Sequence, residues 1–195
     1  MQRIVRMTII ALVFTALSRV AAFAGELVIQ KFGTFNFPRV NIQDIVCNPD
    51  EEFTITANSV PWFEVTDTTN SNQGWSVAFY CQPLENELHS NHLSLKYNQA
   101  GAQVIKGTIG SQDVFPYTGG PRIEKNILSD LSDGQIVLNT YPGYGKGTYN
   151  FIPASNDFKV VVTPENALNG TYRGIFVVTL FSGPSGKGTW QGIIE

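Results

Sequence analysis

Only two histidines and two cysteines occur in 195 residues, and Asp, Glu, Lys and Arg together make up 15% of the chain. These scarcities close off several kinds of chemistry. Cys47 and Cys81 stand 34 positions apart, without the paired short spacings from which a structural zinc site is built. Neither cysteine adjoins an obvious base and no G-x-S-x-G occurs, so the usual nucleophile arrangements are missing and no catalytic residue is assigned. Lysine and arginine are dispersed, which leaves no electrostatic footprint for nucleic acid. Beyond the first 24 residues no apolar run approaches the roughly 20 residues of a membrane-spanning helix. No helical periodicity persists for three turns, and there is no internal repeat or linker. No cofactor motif is present. Gly183 to Thr189 is Gly-rich around Lys187, but Phe181 stands where the first glycine of a phosphate loop belongs, and Gly188 stands where it needs Ser or Thr.

The amino terminus has the pattern of a secretory signal peptide. Arg3 and Arg6 precede the uncharged, mostly apolar run Met7 to Leu17, and Ala22-Phe23-Ala24 forms a small-x-small site that places cleavage between Ala24 and Gly25. Arg19, between the apolar run and that site, is unusual. Removal of residues 1–24 leaves 171 of the 195 residues, with ten Lys and Arg against sixteen acids, and shifts the formal charge from −3 to −6. The expected location is secreted, at the cell surface or otherwise extracytoplasmic. In such an oxidising compartment Cys47 and Cys81 are expected to form one disulfide, the alternative being two buried free thiols.

Residues 25–184 read as one all-β domain, an antiparallel β-sandwich or barrel-like fold, followed by a Gly-rich tail at 185–195. Apolar and polar residues alternate with the period of a half-buried strand at Phe53, Ile55 and Ala57, and at Leu93, Leu95 and Tyr97. Trp75, Val77, Phe79 and Cys81 share a face in the same way. Residues 171–182 read as the longest strand, and their apolar middle (Ile175 to Val178) predicts a central strand covered on both faces. Asn169-Gly170 is a two-residue turn signal that would pair 158–164 with 171–182 as a hairpin. The best candidate for a short helix is Glu124 to Leu131. More than eight short strands punctuated by Gly, Pro, Asn and Asp turns support the all-β reading.

Candidate polar sites are few. His89-Ser90-Asn91-His92 offers two imidazoles, but the segment reads as a polar loop before a strand, and no metal is assigned. Asp67 to Asn72 is rich in oxygen ligands and fits either a surface calcium site or an Asx-type turn. Glu64, Asp67, Glu85 and Glu87 are the acids that a glycoside hydrolase would have to pair. Trp62, Trp75 and Trp190 are candidates for stacking on sugar rings. Core packing is the alternative, except for Trp190, whose place in the tail predicts exposure.

Two blocks resemble the WxL family of bacterial cell-surface domains. The first is Phe63-Glu64-Val65-Thr66-Asp67-Thr68 followed by Gly74-Trp75-Ser76-Val77. The second runs through Gly145-Lys146-Gly147-Thr148-Tyr149, Phe158-Lys159-Val160-Val161-Val162, Pro164, Ala167-Leu168-Asn169-Gly170-Thr171-Tyr172 and Val178-Thr179-Leu180 to Gly183-Pro184. The two Trp-x-Leu positions read Trp75-Ser76-Val77 and Val178-Thr179-Leu180. The resemblance implies a β-rich, non-enzymatic domain that associates non-covalently with cell-wall peptidoglycan, often beside other surface proteins. It also implies that Trp75, Ser76, Val77, Val178, Thr179 and Leu180 take part in binding. Two alternatives stand beside it: a structural or adhesive subunit that assembles with itself or with other surface proteins, and a small secreted glycan hydrolase.

Overall fold

The computed structural model describes residues 25–47, 52–69, 71–107, 120–124 and 128–183, together with the backbone of 4–7 and 10–11. Its strands in chain order are β1 Ile4–Met7, β2 Ile10–Ala11, β3 Leu27–Phe32, β4 Val40–Asn41, β5 Phe53–Thr56 and β6 Trp62–Asp67. Then come β7 Trp75–Cys81, β8 Leu84–Asn86, β9 His92–Leu93, β10 Leu95–Tyr97, β11 Gln103–Lys106 and β12 Arg122–Ile123. The last six are β13 Ser129–Asp130, β14 Gln135–Asn139, β15 Gly147–Ile152, β16 Phe158–Val162, β17 Thr171–Arg173 and β18 Ile175–Ser182. They form four sheets, ordered β12-β14-β7-β18-β2, β11-β15-β6-β3, β13-β10-β16-β5 and β4-β1-β17-β8-β9. All pairings are antiparallel except β1 with β17 and β2 with β18. The domain is all-β and sandwich-like, as expected, and does not close into a barrel. No helix among the described residues is long and apolar enough to cross a membrane.

The core is centred on β7, in which every residue except Tyr80 is buried. Phe79 is its hub. Its ring centroid lies 5.3 Å from Phe63 of β6 and 5.9 Å from Phe151 of β15. On its other sides it lies 5.4 Å from Tyr97 of β10, 6.0 Å from Phe158 of β16 and 5.1 Å from Phe176 of β18. One aromatic side chain therefore joins strands of three sheets. The tilted and edge-on geometries are those that aromatic quadrupoles favour.

Several local expectations are corrected. Residues 158–164 and 171–182 are not a hairpin, because β16 already has β10 on one side and β5 on the other. A 3-10 turn at Pro164–Asn166 instead carries the chain to another sheet. Residues 171–182 are two strands, separated at Gly174. A Cβ at Gly174 would lie 2.5 Å from Leu84 Cδ2 and 3.0 Å from the Gln82 carbonyl, so a larger residue would have to displace the Leu84 side chain where the chain changes partner from β8 to β7. The strand buried on both faces is β7. In β18 the alternate residues Ile175, Val177 and Thr179 remain half-buried.

The α-helix is also not where it was expected. It is a single turn at Ile42–Val46, capped by Asn41 Oδ1, which accepts from the Gln43 amide at 3.2 Å. Of the expected helix 124–131, residues 125–127 lie outside the described set and Ser129–Asp130 pairs with β10 as a strand. Most of the signal segment and the 185–195 tail, including Trp190, also lie outside the described residues.

Candidate binding face

In the sheet β11-β15-β6-β3, strand β6 keeps strict alternation. In β6, Phe63, Val65 and Asp67 are buried while Trp62, Glu64 and Thr66 are half-buried. Inward residues feed the core, and outward residues line up in rows across the sheet through the strand register. One row holds Phe32 and Trp62, and Ile152 follows at the end of β15, one step past the last β15–β6 pair, Phe151 with Phe63. The next holds Gln30, Glu64, Asn150 and Ile105. The third holds Val28, Thr66 and Thr148, and the two threonine hydroxyls lie 3.3 Å apart.

The first two rows form the candidate site. Phe32 and Trp62 stack with centroids 4.1 Å apart and planes only 12° from parallel. Stacked this way, the two rings cover one face of each other and form an aromatic shelf at a surface where Phe32 remains 36% exposed, Ile152 37% and Ile105 47%. Beside the shelf run an amide, a carboxylate and a second amide, from Gln30, Glu64 and Asn150. Asn150 Oδ1 is buried and has no hydrogen-bond partner. An aromatic plane next to hydrogen-bonding groups can take the C–H face of a sugar ring while amide and carboxylate groups bind its hydroxyls.

The six residues taken from the Trp-x-Leu positions lie elsewhere. The fold does bring the two tripeptides together, since Leu180 pairs with Val77 and Val178 with Phe79 on adjacent strands. Trp75, Ser76, Val77 and Val178, however, are shut away from solvent, and only Thr179 and Leu180 are half-buried. The Trp75 amide donates to Thr140 Oγ1 at 2.6 Å, and its indole Nε1 donates to the Gly145 carbonyl at 2.8 Å. Gly145 has φ +86°, and a Cβ there would lie 2.7 Å from that indole nitrogen. The G-W and G-x-G elements of the two blocks thus interlock as one buried structural joint. Ser76 Oγ donates to Asn139 Oδ1 at 2.7 Å. A ligand reaches Trp75 only if the core opens. Sequence reasoning included Trp62 among three tryptophans but missed Phe32. Leu27-Val28-Ile29-Gln30-Lys31-Phe32 has no period-two alternation to mark Phe32 as outward, and the register that stacks the two rings was not readable from the sequence.

The remaining candidates are accounted for individually. Cys47 and Cys81 are free thiols, a correction to the expected disulfide. Cys47 is exposed at the end of the helix and donates its amide to the Gln43 carbonyl, whereas Cys81 is buried at the end of β7. Burial, and secondarily the negative charge of Asp130, push the Cys81 thiol up to about 12. A thiol reagent is therefore expected to label Cys47 in the native protein and Cys81 only after denaturation. One-step labelling of both in native buffer would contradict this placement, and labelling of neither until a reductant is added would show a bridge. His89 and His92 are both exposed, and no group of three or more His, Cys, Asp or Glu among the described residues could hold a metal. Asp67 Oδ1 accepts from the Thr69 amide at 2.8 Å and from its hydroxyl at 2.6 Å, the geometry of an Asx turn. The four acids are dispersed. Glu64 sits on the outer face of β6, Asp67 closes its turn, Glu85 is on β8, and Glu87 pairs with Arg173 at 2.6 Å.

No protein-family model, curated protein or solved structure matches this chain.

Proposed function

We propose that this chain is a secreted, non-enzymatic protein of the bacterial cell surface that associates non-covalently with a wall polymer of peptidoglycan type. Its contact is the outer face of the β11-β15-β6-β3 sheet. The observation that carries this reading is the near-parallel stack of Phe32 on half-buried Trp62 at the outer face of the sheet. The hydrogen-bonding row Gln30, Glu64 and Asn150 beside it supports the same chemistry. The leader-like residues 1–24 and the two WxL-like blocks support a surface location for the domain. Those blocks here serve the core, so the binding role passes from the Trp-x-Leu positions to the shelf.

Cosedimentation with purified peptidoglycan tests the reading. The wild-type chain is expected in the pellet. Trp62→Ala removes half the shelf from a surface position and is expected to weaken binding about tenfold, a loss of roughly 1.4 kcal/mol. Wild-type protein wholly in the supernatant overturns wall binding. Equal retention of wild type and Trp62→Ala overturns the shelf as its site.

A further inference from the structure

The expected leader occupies a place in the fold that its removal would empty. β1 lies between two strands of the domain. It pairs antiparallel with β4 (Ile4 with Asn41, Val5 with Val40) and parallel with β17 (Arg6 with Thr171, Met7 with Tyr172). Two residues further on, β2 continues along the next strand, with Ile10 beside Ile175 and Ala11 beside Phe176. Among the described residues β1 is the only sheet partner of β4, and β17 and β18 each keep one other neighbour, β8 and β7 respectively. Cleavage after Ala24 therefore leaves more than a bare edge. It leaves a slot with backbone donors and acceptors facing inward from both sides, and such groups are costly to leave unpaired away from water. Tyr172 and Phe176, which border the slot, belong to the core.

We infer that removal of residues 1–24 opens a strand-acceptor slot between β4 and β17, continued along β18, and that this slot receives residues 189–194 of a second copy of the chain. The inference rests on the export reading and is independent of wall binding. The sequence past Gly183 runs through Pro184, Gly186 and Gly188 to Thr189-Trp190-Gln191-Gly192-Ile193-Ile194, a strand-length stretch free of proline and charge. Placed as β1 and β2 are, it puts Thr189 beside Thr171 and Ile193 beside Ile175. The same copy cannot fill its own slot in this direction. From Ser182 back to the level of Thr171 is about 36 Å along the strands, whereas the seven steps from Ser182 to Thr189 span at most about 24 Å. In the parallel direction that β1 and β2 take, the strand comes from a neighbour, and a head-to-tail contact of that kind propagates into an open chain of subunits.

Analytical ultracentrifugation of three proteins tests this. The full chain, with its slot filled by its own leader, is expected to sediment as a monomer. The processed chain 25–195 is expected to form a concentration-dependent series of multimers. Processed Ile193→Pro, which removes a backbone donor from the incoming strand without touching the domain, is expected to stay monomeric. A processed chain that is monomeric at high concentration overturns the inference, and so does multimer formation unaffected by Ile193→Pro. Should the processed chain precipitate, a synthetic peptide of residues 188–195 added in excess is expected to keep it soluble and raise its melting temperature. Failure of that rescue counts equally against the slot. Peptidoglycan cosedimentation of the full chain reads the proposed function separately, so the two ideas can fail independently.

Discussion

Trp75→Ala is expected to cost about 4 kcal/mol of stability, because it empties a fully buried indole site in the centre of the fold. For a chain of this size that corresponds to a fall of roughly 8–16 °C in melting temperature. The indole also satisfies the Gly145 carbonyl, which the smaller side chain leaves without its donor. Trp75→Phe separates the two contributions. It restores most of the packing, keeps the ring near Tyr149, whose centroid is 6.0 Å away, and still lacks the N–H donor. Its expected cost is about 1–3 kcal/mol, the range for stranding one buried polar partner. Urea titration of both variants checks these values. The functional corollary is that, at a temperature where Trp75→Phe remains folded, it binds wall polymer as wild type does. A folded Trp75→Phe that has lost binding would return the ligand site to the Trp-x-Leu position.

The second large effect is expected at Phe79, where truncation to alanine should cost about 3–5 kcal/mol. Phe79 touches five aromatic rings on strands of three sheets, so the cavity cannot be closed by the movement of one neighbour. Phe79→Leu keeps much of the volume and is expected to lose markedly less. If Phe79→Ala costs under about 1 kcal/mol in equilibrium urea unfolding, the sheets do not share one core and the domain description fails. Neither Phe79 variant alters the outer face of the β11-β15-β6-β3 sheet. Both are therefore expected to retain wall binding while folded, in contrast to the stable but weakly binding Trp62→Ala.

The comparison of these three aromatic positions shows where the sequence was informative. Alternation of apolar and polar residues identified β5, β7 and β10 as strands, because side chains on a strand must point alternately to opposite faces. It also placed Trp75, Val77 and Phe79 together, as the structure does. Alternation does not say which neighbour lies across a strand. Asn169-Gly170 has the local chemistry of a hairpin turn, but β16 had already been enclosed by β10 and β5, from far away in the chain. The apolar run Ile175 to Val178 looked central, yet the strand covered on both faces is β7, whose Ser76 and Ala78 gave no hydrophobic signal. The single-turn helix at Ile42–Val46 is too short to show a helical period at all.

The six residues drawn from the WxL-like blocks illustrate the same division. The two tripeptides come together in the fold, since β7 and β18 lie side by side. Whether a tryptophan faces a ligand or a core depends on what covers it, and the Thr140 and Gly145 contacts that bury Trp75 come from 65 and 70 residues away. The disulfide was inferred from compartment alone, and compartment says nothing about where two side chains end up.

By itself the sequence determined the strand-rich composition, the faces of individual strands, the scarcity of catalytic and metal-binding groups and the leader-like start, because each depends on local pattern or simple count. Only the tertiary structure decided that Trp75 is structural, that Phe32 and Trp62 stack on an outer face, that the cysteines are unbridged, and that residues 4–7 pair between β4 and β17 while residues 10–11 pair along β18. Each of these depends on which distant segments pair and in what register, and register is set by the packing of the whole core.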